Sequence, residues 1–168
     1  SVELCTDVVI NEIMYHPQQA PRSDTAQALS LIDEKAKTNV LVPQDDSLGR
    51  RWTGGSEPFD DRAWIQGAGT GVGYEAGSGY EPYIVTDVRA QMQGRTNTVY
   101  IRIPFEVTDP TRLKSLTLKL RYDDGFLAFL NGTPVASANL SASAAWNDPA
   151  SAGHDDSAAV IYEPFNVS

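Results

Sequence analysis

The sequence predicts an all-β protein, an antiparallel two-sheet sandwich with long loops. Three observations carry this expectation. Val99, Ile101, Ile103, Phe105 and Val107 alternate with Tyr100, Arg102, Pro104 and Glu106, and Leu116, Leu118, Leu120 and Tyr122 alternate with Thr117, Lys119 and Arg121. A period of two is that of a strand with one face on a core and the other toward solvent. Asn131-Gly132 falls between two apolar stretches, and this dipeptide suits a tight hairpin because both central positions of a type I′ turn need positive φ. Eight of the 13 glycines lie between residues 54 and 79, too dense for regular structure and readable as loop with one or two short strands.

Taken from the N-terminus, Val8 to Tyr15 and Asn39 to Val42 read as short strands, with a helical turn or two over Leu29 to Lys37 between them. The strand over 99–107 carries Pro104, which cannot donate to a ladder and places it at an edge or at a bulge. Asp109-Pro110 then marks a turn. Leu116 to Tyr122 follows as an amphipathic strand, broken by Asp123-Asp124-Gly125. Phe126 to Leu130 is a continuous apolar run too short for a helix, hence a buried strand, and Thr133 to Ala138 is its partner beyond the Asn-Gly turn, with Pro134 at an irregular start. These three strands predict a meander. Asn139 to Ser157 reads as a long polar loop and Ala158 to Val167 as a closing strand.

Composition narrows the function. The chain has 168 residues, the span of one domain, with 22 acidic against 13 basic side chains and a net charge of −9. That excess argues against nucleic acid, whose binders cluster Lys and Arg, and against attachment to anionic lipid. No apolar run reaches the roughly 20 residues of a membrane span. The opening residues carry no signal-peptide pattern, as expected of a mature form or an excised module. Two His and one Cys leave little for a His/Cys metal site, and Cys5, having no second cysteine to pair with, reads as a partly buried small hydrophobe.

Two stretches resemble known families. Val8-Val9-Ile10-Asn11-Glu12-Ile13-Met14-Tyr15-His16-Pro17 resembles the opening strand of bacterial lamin-tail domains. Residues 38–167 are similar to the galactose-binding-like jelly-roll modules of secreted bacterial multidomain proteins. The landmarks are Trp52-Thr53-Gly54-Gly55, Phe59-Asp60-Asp61-Arg62-Ala63-Trp64, Gly71-Val72-Gly73-Tyr74-Glu75, Tyr100-Ile101-Arg102 and, above all, the stretch from Tyr122-Asp123-Asp124-Gly125-Phe126 to Leu130-Asn131-Gly132. Such modules accompany lamin-tail and CotH-like domains. The resemblance divides the chain into a lamin-tail-like strand and linker over 1–28 and a β-sandwich over 29–168. It implies a non-catalytic, extracellular, carbohydrate-binding-like module with neighbouring domains in its parent chain and a structural calcium.

The residues supply candidates for both ligands. A sugar ring stacks its C–H face on an aromatic ring while acids and amides take its hydroxyls. Trp146 lies in the polar loop Trp146-Asn147-Asp148, and Tyr80 and Tyr83 flank the glycine-rich stretch, so these five are the expected carbohydrate site. Trp52 and Trp64 read as core-capping residues. Calcium takes six to eight oxygen ligands. Asp123 and Asp124, with Asn131 nearby in sequence, resemble the paired aspartates of calcium-dependent lectin-like sandwiches. Local turn-making accounts for these and for Asp45-Asp46, Asp60-Asp61 and Asp155-Asp156 equally well. Catalysis has little to stand on: His16 and His154 are the only imidazoles, no G-x-S-x-G elbow occurs, and the glycine run lacks the Lys of a phosphate loop. The expected function is therefore anchoring to a polysaccharide, against the alternative of a structural or adhesive spacer with no glycan ligand.

Overall fold

A computed structural model describes residues 7–15, 29–77, 79–107, 109–110 and 113–167. Cys5, His16 and the linker expected between residues 18 and 28 lie outside the described residues. Strand takes up 29% and helix 11%, so the all-β expectation holds. In chain order the elements are β1 (Asp7–Tyr15), β2 (Leu29–Ser30), β3 (Thr38–Leu41), β4 (Ile65–Gly67), β5 (Val72–Gly73), β6 (Thr86–Asp87), α1 (Arg89–Met92), β7 (Tyr100–Arg102), β8 (Leu116–Asp123), β9 (Phe126–Leu130), β10 (Thr133–Ala138), α2 (Asp156–Ala159) and β11 (Glu163–Asn166).

The largest sheet has the order β11-β8-β1-β2, all antiparallel; β9 pairs with β10, β3 is flanked by β4 and β7, and β5 pairs in parallel with β6. The strand at residues 7–15 is thus an interior member of the main sheet. β1 runs against β8 from Asp7 opposite Asp123 to Tyr15 opposite Leu116, with a bulge between Ile10 and Glu12. The expected helical turns at 29–37 are absent; β2 and a turn stand there instead, because Leu29 and Ser30 pair with the end of β1.

Two cores result. β8 turns Leu118, Leu120 and Tyr122 inward as its alternation predicts, and they pack with Ile32 and with Phe126 and Ala128 of β9, closed over by Val135, Ala136 and Phe165. A second core joins Val40, Val42, Val72, Val88, Met92 and Val99. Gly71, next to Val72 of the second core, must be glycine. A Cβ there would overlap the Tyr83 carbonyl, while the Gly71 carbonyl itself accepts from the N–H groups of Val85 and Thr86.

The hairpin at Asn131-Gly132 forms with φ of +48° and +84°, and β10 has a bulge between Pro134 and Ala136. The meander does not extend back to β8. Asp124 takes φ +57°, and the chain crosses from one sheet to the other at this corner. The loop after β10 clamps it: Asn139 Nδ2 donates to the Asp124 carbonyl at 2.6 Å and the His154 N–H to its carboxylate at 3.1 Å. The strand expected over 99–107 is confined to 100–102. Ile101 reaches the second core, whereas Ile103 and Phe105 reach the first, so the chain leaves the ladder to cross between them. Tyr100, expected to face solvent, is 6% exposed.

Candidate functional site

Strand β9 shows where a ligand could enter. Phe126 and Ala128 are buried on the first core, but Leu127 and Phe129, on the opposite face, are half-buried and line an open cleft of about 340 Å³. The continuous apolar run is therefore buried on one face only. Gly49, Arg50 and Trp52, Val99 and Tyr100 form one wall, and Leu140 and residues 143–146 with Asp148 the other. Trp52 stacks on Tyr100 with centroids 4.1 Å apart and planes 15° from parallel, and Phe129 meets Trp52 edge-on at 6.0 Å. Arg50 lies 4.9 Å over the Phe129 ring. Its Nη2 donates to the carbonyls of Ala142 and Ala144 at 2.8 and 3.2 Å, bracing the far wall. Asp46 and Asp148 bring carboxylates to the lining. A concave, mostly apolar site with a few placed polar groups is what small ligands require.

Of the five residues expected to hold a glycan, Trp146 and Asp148 line this cleft. Asn147 holds the loop in place, its Oδ1 accepting from Thr96 Oγ1 at 2.6 Å and the Asn97 N–H at 2.8 Å. Asp148 closes the turn around Trp146 by accepting the Ala145 N–H at 2.8 Å. Tyr80 and Tyr83 lie elsewhere, beside a cavity of about 20 Å³ with Val72, Arg121 and Asp123, room for about one water. Tyr83 is occupied: with Tyr162 it sandwiches the Arg121 guanidinium, at 4.2 and 4.0 Å. Tyr80 is 7% exposed. Its hydroxyl lies 2.6 Å from Asp123 Oδ2 and 2.7 Å from Glu75 Oε2, so burial and hydrogen bonding remove it from any glycan surface.

The Tyr80 hydroxyl has one proton and two carboxylates to serve. A second proton satisfies all three groups, with Asp123 donating to Tyr80 and Tyr80 to Glu75. Burial pushes the Asp123 carboxyl up to about 6, opposed by the Tyr80 hydrogen bond and assisted by the charges of Asp124, Asp156 and Glu75. Burial also raises Asp124, against the His154 N–H that favours its ionised form. Tyr80 is raised above the ordinary phenol value by burial first and by its two carboxylate partners second.

The expected calcium set does not assemble. Asp123 and Asp124 flank one end of β9 and Asn131 lies at the other, roughly 17 Å away at 3.3 Å per residue. Among the described residues no group of three or more His, Cys, Asp or Glu side chains is placed to hold a metal ion. Asp61 is engaged instead with Arg102, at 2.7 Å, and Asp60 with Arg62, at 2.8 Å. Arg102 also pairs with Glu57 at 2.8 Å, donates to the Trp52 carbonyl and lies over Phe59, which ties three of the sequence landmarks into one knot. His154 is structural: its ring stacks on Tyr122 at 4.2 Å, with Nδ1 on the Tyr122 carbonyl and Nε2 on Glu163.

Sequence reasoning missed Arg50, Tyr100 and Phe129, read Asp46 only as part of an acidic pair for an ion or a turn, and weighed Trp52 toward packing. Trp64 does pack, 8% exposed and edge-on to Phe59, but Trp52 both packs and lines the cleft. The available signal was the outward pair Leu127 and Phe129: an apolar outer face on a strand needs a cover or a ligand. The chain matches no known family, no curated protein and no solved structure.

Proposed function

We propose that this chain is a non-catalytic carbohydrate-binding module, of the galactose-binding-like kind, in a secreted multidomain protein that it anchors to a polysaccharide. The observation that supports this reading is the cleft between Trp146 and the Trp52–Tyr100–Phe129 wall, with Asp46, Arg50 and Asp148 at its lining. Aromatic walls take the C–H faces of sugar rings, and the charged groups take hydroxyls. Affinity electrophoresis through gels containing soluble polysaccharides tests it. The wild type is retarded by at least one glycan, Trp146→Ala abolishes the retardation, and Tyr83→Ala leaves it in place. Equal retardation of Trp146→Ala and wild type would remove the cleft as the binding site.

A structural or adhesive spacer is the second reading. It draws on the exposed apolar side chains of Tyr83, Val85 and Ile161, 39%, 51% and 61% accessible, as a surface for a neighbouring domain of the parent chain. It requires that no polysaccharide retard the protein.

A further inference from the structure

The polar groups of the cleft go further than the aromatic ones, because they discriminate between kinds of sugar. We propose that the cleft selects neutral pyranose units, read by the Tyr100 hydroxyl together with the Asp46 carboxylate and the Arg50 guanidinium. The proposal rests on the carbohydrate-binding reading above.

Tyr100 is 94% buried by its 6% exposure. Its ring is fixed by the stack on Trp52, yet its hydroxyl makes no hydrogen bond among the described residues. Among the described residues only Gln91 Oε1 is a buried side-chain oxygen or nitrogen without a partner, so the Tyr100 oxygen keeps access to solvent, and its side chain lines an open cleft. The charged groups acting on that hydroxyl are Asp46 and Arg50, both on the lining. Burial first, and the Asp46 carboxylate second, keep it in the neutral O–H form, with Arg50 acting in the opposite direction. It thus faces the cleft as a donor and acceptor together. Arg50 has its Nη2 held by two backbone carbonyls, which immobilises the guanidinium, while its other N–H groups are unengaged among the described residues. A fixed donor, a hydroxyl and a carboxylate acceptor in one cleft are the kinds of group that take the donors and acceptors of adjacent sugar hydroxyls.

Charge sets the sign of the selection. Two carboxylates, Asp46 and Asp148, face one guanidinium in the lining, on a chain of net charge −9. A uronate or sulfate brought there meets like charge and bears the large desolvation cost of an ion, whereas a neutral ring meets no charge repulsion and loses only the weaker hydration of its hydroxyls. Trp146 lines the cleft and makes no aromatic stack among the described residues, and its indole is assigned to the sugar. The cleft volume lies at the lower end of the range for small-ligand sites, about 300–1,000 Å³, which suits a short stretch of glycan.

The test compares wild type, Tyr100→Phe and Asp46→Asn on two sets of gels: galactomannan, xyloglucan and mixed-linkage β-glucan as neutral probes, polygalacturonate and dextran sulfate as acidic ones. Tyr100→Phe keeps the ring and its stack, and its melting temperature checks the fold; Asp46 is exposed, so Asp46→Asn leaves the core untouched. The expected result is retardation of the wild type by a neutral gel alone, with apparent affinity about five- to tenfold weaker in Tyr100→Phe, the loss of one hydrogen bond, and weaker also in Asp46→Asn. Retardation by an acidic gel, or Tyr100→Phe and Asp46→Asn indistinguishable from wild type on the gel that binds, overturns the selection while leaving carbohydrate binding intact. No retardation by any gel overturns both.

Discussion

Replacing Asp123 with Asn removes a charge that the fold holds against its preference. The carboxyl is held near 6 in the folded chain, against an ordinary 3.8. Each pH unit of that gap is worth about 1.4 kcal/mol, so the ionised form costs up to ~3 kcal/mol. Asp123 is only partly buried, and solvent screening brings the figure to about 1–2 kcal/mol. The sign follows from linkage. Between about pH 4 and 6 the folded state binds more protons at this site than the unfolded state, so the wild type loses stability as pH rises through that window and carries the full deficit above it. An Asn side chain imitates the protonated acid, since its Nδ2 donates to the Tyr80 oxygen and frees the Tyr80 proton for Glu75. Asp123→Asn is therefore expected to melt about 3–6 °C above wild type at pH 7.5 and to match it at pH 4. Melting curves followed by circular dichroism across this range decide the matter. A gain of the same size at both pH values, or a loss at pH 7.5, would refute the shared-proton account of Glu75, Tyr80 and Asp123.

Arg102→Ala leaves Asp61 and Glu57 without their partner and frees the Trp52 carbonyl. The expected loss is about 2–4 kcal/mol in urea unfolding, and Arg102→Lys recovers little of it because an ammonium cannot span several acceptors as the guanidinium fork does. Leu120→Ala empties a site with 0% exposure in the first core and is expected to cost about 2–5 kcal/mol by the same measurement. Gly132→Ala adds a Cβ at φ +84°, 2.7 Å from the Gly55 Cα. It is expected to cost at least 1 kcal/mol, and to weaken glycan retardation as well, since Gly132 donates to the Thr53 carbonyl beside Trp52.

Local chemistry explains what could be read in advance. The alternation of β8 survives unchanged in the structure because its inner face meets a core along its whole length, with burial falling on Leu118, Leu120 and Tyr122 in turn. The Asn131-Gly132 turn is equally self-contained: its geometry depends on two φ angles that these two residues tolerate. Where the chain passes between cores, local pattern misleads. Val99 to Val107 alternates like a single strand, yet its apolar residues serve two cores, and Pro104 has no N–H with which to extend the ladder. Tyr80 misled for a related reason. An aromatic beside a glycine-rich loop reads as exposed until the carboxylates of Glu75 and Asp123, the latter 43 residues away, are seen to converge on it.

The positions of β8, β9 and β10, the tight hairpin, the glycine-rich loops and the acidic excess were thus legible in the order of residues, because each depends on neighbours within one turn or one strand. The pairing of β1 with β8, the crossing between sheets at Asp124, and the cleft were not. Their partners lie far apart in the chain: Arg50 reaches the carbonyl of Ala142, 92 residues on, and Trp52 stacks on Tyr100. Trp146 and Asp148 could be named from their loop, but only the closure of that loop over β9 brought them to Asp46, Arg50 and Tyr100. Sequence periodicity reports which face of a strand is apolar; which apolar face stays open is decided by what long-range packing leaves uncovered.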